Sequence, residues 1–276
     1  MSVFQRIVLG ARARLASEVE LCVLPNENRK KIFQQQTNTK RIVECVWNVP
    51  SFEEVRASKD RPNKNSPLKL FYGGTLTPKI LPKNLLQCIE ETNSVELHIV
   101  GYATYSEGDY LRWLREIVAK KINIKLHGSL SRHKMLQIAD ICEAAICLYS
   151  PQEKQINFKH LAGASNKPFD AMARGLAVVI SDLPQWAEMY LSDEGSDKAA
   201  GGEGYRISDM GYGIGINPEC EKSIRGGLDW MLSNRTKLWE MGERGRLKIL
   251  KEWNYETMFK KIQIQIEQET NVLKSE

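Results

Sequence analysis

The chain has 276 residues, of which 42% are hydrophobic and 26% charged, and its formal net charge is +5. This ordinary composition excludes a disordered chain, and basic and acidic residues are too evenly mixed to indicate nucleic-acid binding. A small anionic ligand remains compatible with the charge.

Cysteine spacing and the first residues bear on the cellular compartment. The six cysteines lie far apart in apolar segments, without the CxxC spacing of zinc or redox sites, so we expect reduced thiols. The start of the chain lacks a signal-peptide pattern, and no apolar run is long enough to cross a membrane. We therefore expect a cytoplasmic protein without a metal, a transmembrane segment or a nucleic-acid partner.

Short apolar runs alternate with segments of helical period along the chain. Strands are predicted at 19–24, 41–47, 68–72, 95–101, 122–127, 144–149, 176–181 and 212–217. Helices are predicted at 83–91, 110–120, 131–142, 220–233, 236–252 and 254–273. This alternation predicts an α/β fold, with a doubly wound parallel sheet covered by helices on both faces.

A charged, proline-bearing stretch at 49–66 has the composition of a linker. The segment before it, 1–48, is too short for a doubly wound domain and resembles the end of a larger one. Residues 67–252 hold a complete set of alternating elements. The last segment, 253–276, should form a helix that returns toward the N-terminal part.

The stretch SNKPFDAMARGLAVVISD, at 165–182, places a polar helix start before a buried strand. Pro168 suits a first helical turn, and Gly175 should end the helix. In a unit of strand, helix and strand, the N-terminus of the helix lies at the carboxyl edge of the sheet. Ligands of open α/β sheets bind at this edge.

The polar residues of this helix start predict what it holds. Free backbone N–H groups, together with Ser165, Asn166 and Lys167, are suited to a phosphate. Asp170 lies three residues beyond Lys167 and is placed to accept hydrogen bonds from ribose hydroxyls. An alternative stays open, because serine, asparagine and acidic residues at a helix start are often only caps.

A second turn, FYGGTLTPK at 71–79, also follows a buried strand and precedes a helix. Gly73 and Gly74 would let the backbone approach a ligand closely. The turn lacks the GxGxxG spacing of dinucleotide sites, which also disfavours a dehydrogenase.

These segments resemble one family when they are taken together with IKLHGSLSRHKMLQIADICEAAICLYSP, SDLPQWAEM and GYGIGINPE. They are similar to the donor domain of retaining nucleotide-sugar glycosyltransferases with two Rossmann-like domains, the group 1 family of GT-B type. The resemblance extends over residues 17 to about 260 and implies that 1–48 is a remnant of the acceptor-side domain. It implies transfer of a sugar from a nucleoside diphosphate sugar to a sugar, lipid or protein hydroxyl with retention, without another cofactor.

The resemblance also implies a set of donor-binding residues, while catalytic residues stay unknown. The implied set is Gly73, Gly74, Thr75, Lys79, Gly128, Ser129, Leu130, Ser165, Asn166, Lys167 and Asp170.

The sequence departs from the family pattern at several of its charged positions. Ala162 stands where the family usually has a glutamate near the transferred sugar, and Asp170 is shorter than the usual glutamate. Thr75 stands where an arginine commonly contacts the diphosphate, so Lys79 or Lys83 would have to substitute.

These departures keep a second interpretation open, namely a non-catalytic nucleotide-binding subunit or truncated product that supports a partner chain. The short N-terminal segment should expose the apolar flanks of its strands, at Val19, Leu21, Val23 and Val43. We therefore expect self-association or a partner chain, and poor transfer by the chain alone.

Several other residues are expected to be structural. His98 and His127 lie in predicted strands, and Trp113 and Trp186 are expected to pack rather than to stack on a sugar. The glycine-rich insertion at 193–209 is expected to be a loop.

Overall fold

A computed structural model describes residues 2–58, 60–63, 65–150, 160–191 and 203–275. The strands are β1 Leu21–Leu24, β2 Ile42–Cys45, β3 Leu68–Thr75, β4 Val95–Tyr102, β5 Ile124–Gly128, β6 Ala144–Cys147, β7 Ala177–Ser181, β8 Tyr205–Ile207 and β9 Gly213–Ile216. The helices are α1 Val3–Glu18, α2 Glu27–Thr37, α3 Lys83–Glu90, α4 Gly108–Lys120, α5 Arg132–Asp140, α6 Asn166–Ala173, α7 Pro184–Leu191, α8 Glu221–Ser233, α9 Arg235–Lys251 and α10 Tyr255–Ser275.

Seven strands form the main sheet, in the order β5-β4-β3-β6-β7-β9-β8. All neighbours are parallel except β8, which pairs antiparallel with β9. The predicted α/β fold with a parallel sheet is therefore confirmed. The central strands β6 and β7 are buried along their whole length, as expected for parallel strands covered on both faces.

The N-terminal segment forms a small parallel sheet of β1 and β2 with its own core. Ala16 of α1 and Phe33 of α2 cover Val43, which is only 5% exposed, so the expectation that Val43 would be uncovered is wrong. Val19 and Val23 are exposed, as expected.

The segment at 49–66 and the C-terminal helix connect the two sheets. A short 3₁₀ turn, Phe52–Glu54, lies in this segment, and the Arg56 N–H donates to the carbonyl of Ala173 in α6 at 3.0 Å. At the start of α10, the Tyr255 N–H donates to the carbonyl of Pro50 at 2.9 Å. The domain boundaries drawn from the sequence stay a prediction.

Helix α6 begins at Asn166, and Pro168, its third residue, lies in the first turn as predicted. One local prediction is wrong. The expected loop at 193–209 ends in strand β8, because Tyr205, Arg206 and Ile207 pair with the edge of β9. Residues 193–202 lie outside the described part of the chain.

All six cysteines are free thiols, and Cys45, Cys88, Cys142 and Cys147 are buried. No helix within the described ranges has both the length and the apolar character needed to cross a membrane. The described residues also contain no group of three or more His, Cys, Asp or Glu side chains that could hold a metal ion.

Candidate functional site

A lysine side chain is held among aromatic rings at the carboxyl edge of the sheet. Lys167 is the second residue of α6, and its Nζ lies 5.1 Å from the ring centre of Tyr72 and 5.2 Å from that of Tyr149. Burial lowers the pKa of Lys167 to about 8. Aromatic faces attract a cation, but they replace little of the water that an ammonium loses. The site therefore holds a cation that lacks a carboxylate partner among the described residues.

The carboxyl end of β3 lies directly against this lysine, because the strand predicted at 68–72 continues through Gly73 and Gly74 to Thr75. A Cβ atom on Gly74 would lie 2.6 Å from Cε and 3.1 Å from Nζ of Lys167. Gly74 also has a φ of +143°, which side-chain-bearing residues rarely adopt. Because β3 and β6 are hydrogen-bonded neighbours, the carboxyl end of one strand and the helix after the other meet at one edge. The two segments singled out in the sequence are thus brought together.

The start of α6 is not capped by the side chain that precedes it. The Ser165 hydroxyl makes no capping hydrogen bond and instead lies 2.8 Å from the hydroxyl of Tyr149. The first turn contains no acidic residue, and Asn166 is exposed. The capping alternative is therefore wrong for Ser165 and Asp170. An uncapped helix N-terminus beside an ammonium is suited to bind an anion.

Asp170 has a partner that the sequence did not reveal. Arg132, the first residue of α5, donates to both of its carboxylate oxygens, at 2.8 and 3.0 Å, and also to Glu54 at 2.5 Å. Burial raises the pKa of Asp170 even though Arg132 favours its charged form. The Asp170 side chain is only 13% exposed. An ionised carboxylate still has lone pairs for a ligand hydroxyl when an arginine occupies both oxygens.

The other residues predicted in and near the segment 71–79 differ from Gly74 in their surroundings. The Thr75 carbonyl accepts a hydrogen bond from the Tyr72 hydroxyl, and Gly73 and Lys167 line the same small cavity. The Lys79 side chain is exposed. The ammonium of Lys83 lies over the ring of Trp113 at 4.7 Å, which directs it toward α4.

The turn Gly128-Ser129-Leu130 joins β5 to α5 and lies two strands away from β3. Gly128 has a φ of +72°, Ser129 is exposed, and Leu130 packs against the core. This turn is connected to Asp170 through Arg132, two residues further along the chain.

The loop that leads into α6 is held by the N-terminal segment. The Asn26 side-chain amide donates to the Ala162 carbonyl, and that of Asn48 donates to the Ala164 carbonyl at 2.7 Å. Gly163, with a φ of +79°, lies under the ring of Trp47, where a Cβ atom would be 2.7 Å from the ring. The N-terminal segment therefore positions the loop before the candidate site.

A groove of about 590 Å³ lies beside this loop. Its lining includes Asn26, Trp47, Ala162, Gln185, Glu188 and Trp253. The groove lies between the N-terminal segment and the main sheet, and it combines aromatic rings with amide and carboxylate groups.

The histidines predicted to be structural lie away from this edge of the site. His98 is 4% exposed, and its Nδ1 lies 3.1 Å from Nε2 of His127, on the edge strand β5. Its Nε2 lies 2.5 Å from Glu96. Burial lowers the pKa of both histidines. Trp186 is buried, 2% exposed, beside Tyr190.

No protein-family model and no curated protein matches the sequence. Solved structures do share the fold. HepE from Anabaena, in complex with UDP and glucose, matches with a TM-score of 0.68 and 13% identity over 95% of this chain and 67% of HepE. Sucrose-phosphate synthase from Thermosynechococcus elongatus matches with a TM-score of 0.66 and 11% identity over 97% of this chain and 62% of the synthase.

A third match is to a single domain. The C-terminal domain of the glycosyl transferase group 1 family protein LpcC, from Francisella tularensis, matches with a TM-score of 0.52 and 12% identity. It covers 74% of this chain and 98% of that domain. At such low identities the matches show the fold alone, a Rossmann-like α/β fold that this chain shares with these proteins.

Proposed function

We propose that this chain binds a nucleoside diphosphate sugar and serves the transfer of its sugar to an acceptor hydroxyl, with retention of the anomeric configuration. The observation that carries the proposal is Lys167, a partly desolvated ammonium at the uncapped start of α6. Such a cation is unfavourable without an anion, and a diphosphate supplies the missing charge.

The diphosphate would lie between the start of α6 and the carboxyl end of β3. Lys167 and the first N–H groups of α6 would neutralise the leaving diphosphate as the glycosidic bond breaks. Gly73 and Gly74 would let the backbone approach the phosphates, because neither carries a side chain. Thr75, Lys79, Ser165 and Asn166 are proposed as further donor contacts on the same edge, where Lys79 and Asn166 are exposed.

The part of the site around Asp170 would recognise the nucleoside. Asp170 would accept hydrogen bonds from the ribose while Arg132 keeps its carboxylate ionised. Gly128, Ser129 and Leu130 are proposed to face the base, since Arg132 connects their turn to Asp170.

The groove beside Ala162 is the proposed entry for the acceptor. It lies next to the loop that leads into α6, so an acceptor hydroxyl there would be close to the transferred sugar. The neighbours HepE and sucrose-phosphate synthase are longer than this chain, so the acceptor and the complete activity belong to the proposal.

A second candidate is a nucleotide-binding subunit that supports a partner chain without catalysing transfer. Ala162 favours it, because this residue brings no carboxylate to the groove. The N-terminal sheet also has only two strands in the described residues, so a partner or a second copy is proposed to complete the cleft wall. The cytoplasmic location stays a prediction from the sequence.

Calorimetric titration with UDP-, GDP- and ADP-sugars tests the proposal. We expect the wild-type chain to bind one of them, and Lys167→Met to weaken this binding by about tenfold to a hundredfold, the value of one charge-assisted hydrogen bond. Lys83→Met is the matched control, because that ammonium lies over Trp113. Unchanged affinity in Lys167→Met, or no binding by the wild type, would contradict the proposed site.

A transfer assay separates the two candidates. The solution mass of the chain is measured first, and sugar transfer to simple glycosides is then assayed. The subunit interpretation predicts nucleotide binding without turnover, whereas multiple turnovers by a monomer show that the chain is a complete enzyme.

A further inference from the structure

Helix α1 turns its large apolar side chains away from the rest of the protein. Five of them are exposed, from 47% for Val8 to 75% for Val3. At about 100° per residue they fall on one arc of roughly 140° of the helix. The exposed residues of this arc are Val3, Phe4, Ile7, Val8 and Leu15.

The opposite side of α1 makes the contacts with the protein. Ala16 is 2% exposed in the small N-terminal core, and the Arg12 guanidinium lies over the ring of Phe33 at 4.6 Å. The apolar arc is therefore not needed to hold α1 in place. Arg14 and Glu18, which pair with each other, fall on the same arc near the end of α1, so the face is continuously apolar over Val3, Phe4, Ile7 and Val8. An exposed apolar face of this kind indicates an interaction surface.

The N-terminal segment that contains this face is strongly basic. The first 48 residues contain eight lysine or arginine residues and four glutamates, so they carry +4 of the net charge of +5. Within α1, Arg6, Arg12 and Arg14 come before Glu18, the first acidic residue of the chain. Arg6 lies beside the apolar arc, whereas Arg12 contacts Phe33 and Gln36 and Arg14 pairs with Glu18. An apolar helix face in a basic segment is complementary to a surface that is apolar inside and anionic outside.

We propose that α1 binds in the plane of a membrane that contains anionic lipid. The apolar arc would enter the boundary between headgroups and acyl chains, and Arg6 would contact lipid phosphates. With 16 residues, α1 lies along the membrane rather than across it, because a spanning helix needs about 20. A second copy fits less well, since it would bring together two segments that each carry a net charge of +4.

Vesicle flotation of the full chain tests this binding. We use phosphatidylcholine vesicles with and without phosphatidylglycerol, at low and at high salt. The chain should float with the phosphatidylglycerol vesicles at low salt, and less at high salt because salt screens the arginines. Phe4→Asp and Ile7→Asp should each reduce the bound fraction at least about tenfold, because each removes a buried apolar side chain.

Ile122→Asp is the matched control, because Ile122 is 93% exposed in the turn before β5 and far from α1 in the sequence. It should float like the wild type. The proposal is overturned if the wild type does not bind anionic vesicles or if Phe4→Asp binds as well as Ile122→Asp. It is also overturned if Phe4→Asp splits a lipid-free dimer, which would assign the face to a second copy. Nucleotide affinity, measured on the same variants, should not change, so failure here leaves the proposed function standing.

Discussion

Gly74 and Lys167 occupy complementary space: a Cβ atom on Gly74 would lie 2.6 Å from Cε of Lys167. The glycine comes from the carboxyl end of β3 and the lysine from the start of α6, so two distant segments of the sequence depend on each other here. The missing side chain of one residue leaves the room in which the ammonium of the other lies.

Gly74→Ala should therefore displace Lys167 and destabilise the fold. The φ of +143° adds backbone strain, and together we expect a loss of about 1–3 kcal/mol in the free energy of unfolding. Thermal unfolding and calorimetric titration with the nucleotide sugar measure both effects. Gly108→Ala is the control, because a Cβ there meets no atom within 4 Å. Equal stability and equal nucleotide affinity of the two variants would show that the contact is unimportant.

Lys167→Met should stabilise the ligand-free protein at neutral pH while it weakens nucleotide binding. Burial lowers the pKa of Lys167 to about 8, so the folded state holds a charge that it disfavours. Its removal should raise the free energy of unfolding by about 1–3 kcal/mol, less any packing that is lost. Denaturant unfolding at pH 7 measures this change, and a less stable variant would contradict the pKa argument.

The lowered pKa of Lys167 predicts that both stability and nucleotide affinity depend on pH. Because its folded pKa is lowered, the folded protein loses the proton first as the pH rises, so stability should increase from about pH 8 toward the unfolded value of about 10.4. Nucleotide affinity should fall over the same range, because the neutral amine no longer pairs with phosphate. Lys167→Met should show neither trend. Titrations between pH 7 and 9 test the affinity at moderate pH.

Asp170→Ala should affect both binding and stability, because Asp170 is bound to Arg132 at 2.8 and 3.0 Å. The role at the ribose is separated from the ion pair by a comparison with Arg132→Met. Each variant breaks the pair, but only Asp170→Ala removes the acceptor proposed for ribose. We expect it to lose roughly tenfold more affinity than Arg132→Met. Equal losses would mean that Asp170 only positions Arg132.

The pair His98 and His127 predicts a loss of stability in mild acid. Burial lowers both pKa values, so below about pH 6.5 the unfolded chain takes up protons before the folded protein does. The stability that these groups supply above that pH is therefore lost as the pH falls. Denaturant unfolding at pH 7 and pH 5 should show a smaller difference in His98→Gln than in the wild type. His133→Gln, at an exposed position, serves as the control.

The sequence predicts structure that depends on neighbouring residues better than structure that depends on contacts between distant segments. The buried strand β7 and the helix before it follow from local signals, namely an apolar run and Gly175. The meeting of Gly74 with the start of α6 follows from parallel strands that share an edge. The pairing of Arg132 with Asp170 does not, because it depends on how two helices cross.

Short or covered elements were also missed, for a related reason. Strand β8 has three residues in a glycine-rich, charged stretch, so only its pairing with β9 reveals it. Val43 is apolar like Val23, and the sequence does not show that α1 and α2 cover one and not the other.

The hydrogen bonds from Asn26 and Asn48 to the loop before α6 couple the two sheets energetically. Their amides donate to the carbonyls of Ala162 and Ala164, so a shift of the small sheet against the large one strains the loop or breaks these bonds. A ligand that favours one arrangement of the small sheet would then change the affinity for the anion proposed at Lys167. The anion would change the affinity for that ligand by the same factor. Binding at the small sheet and binding at Lys167 would thus be linked by a free energy of coupling.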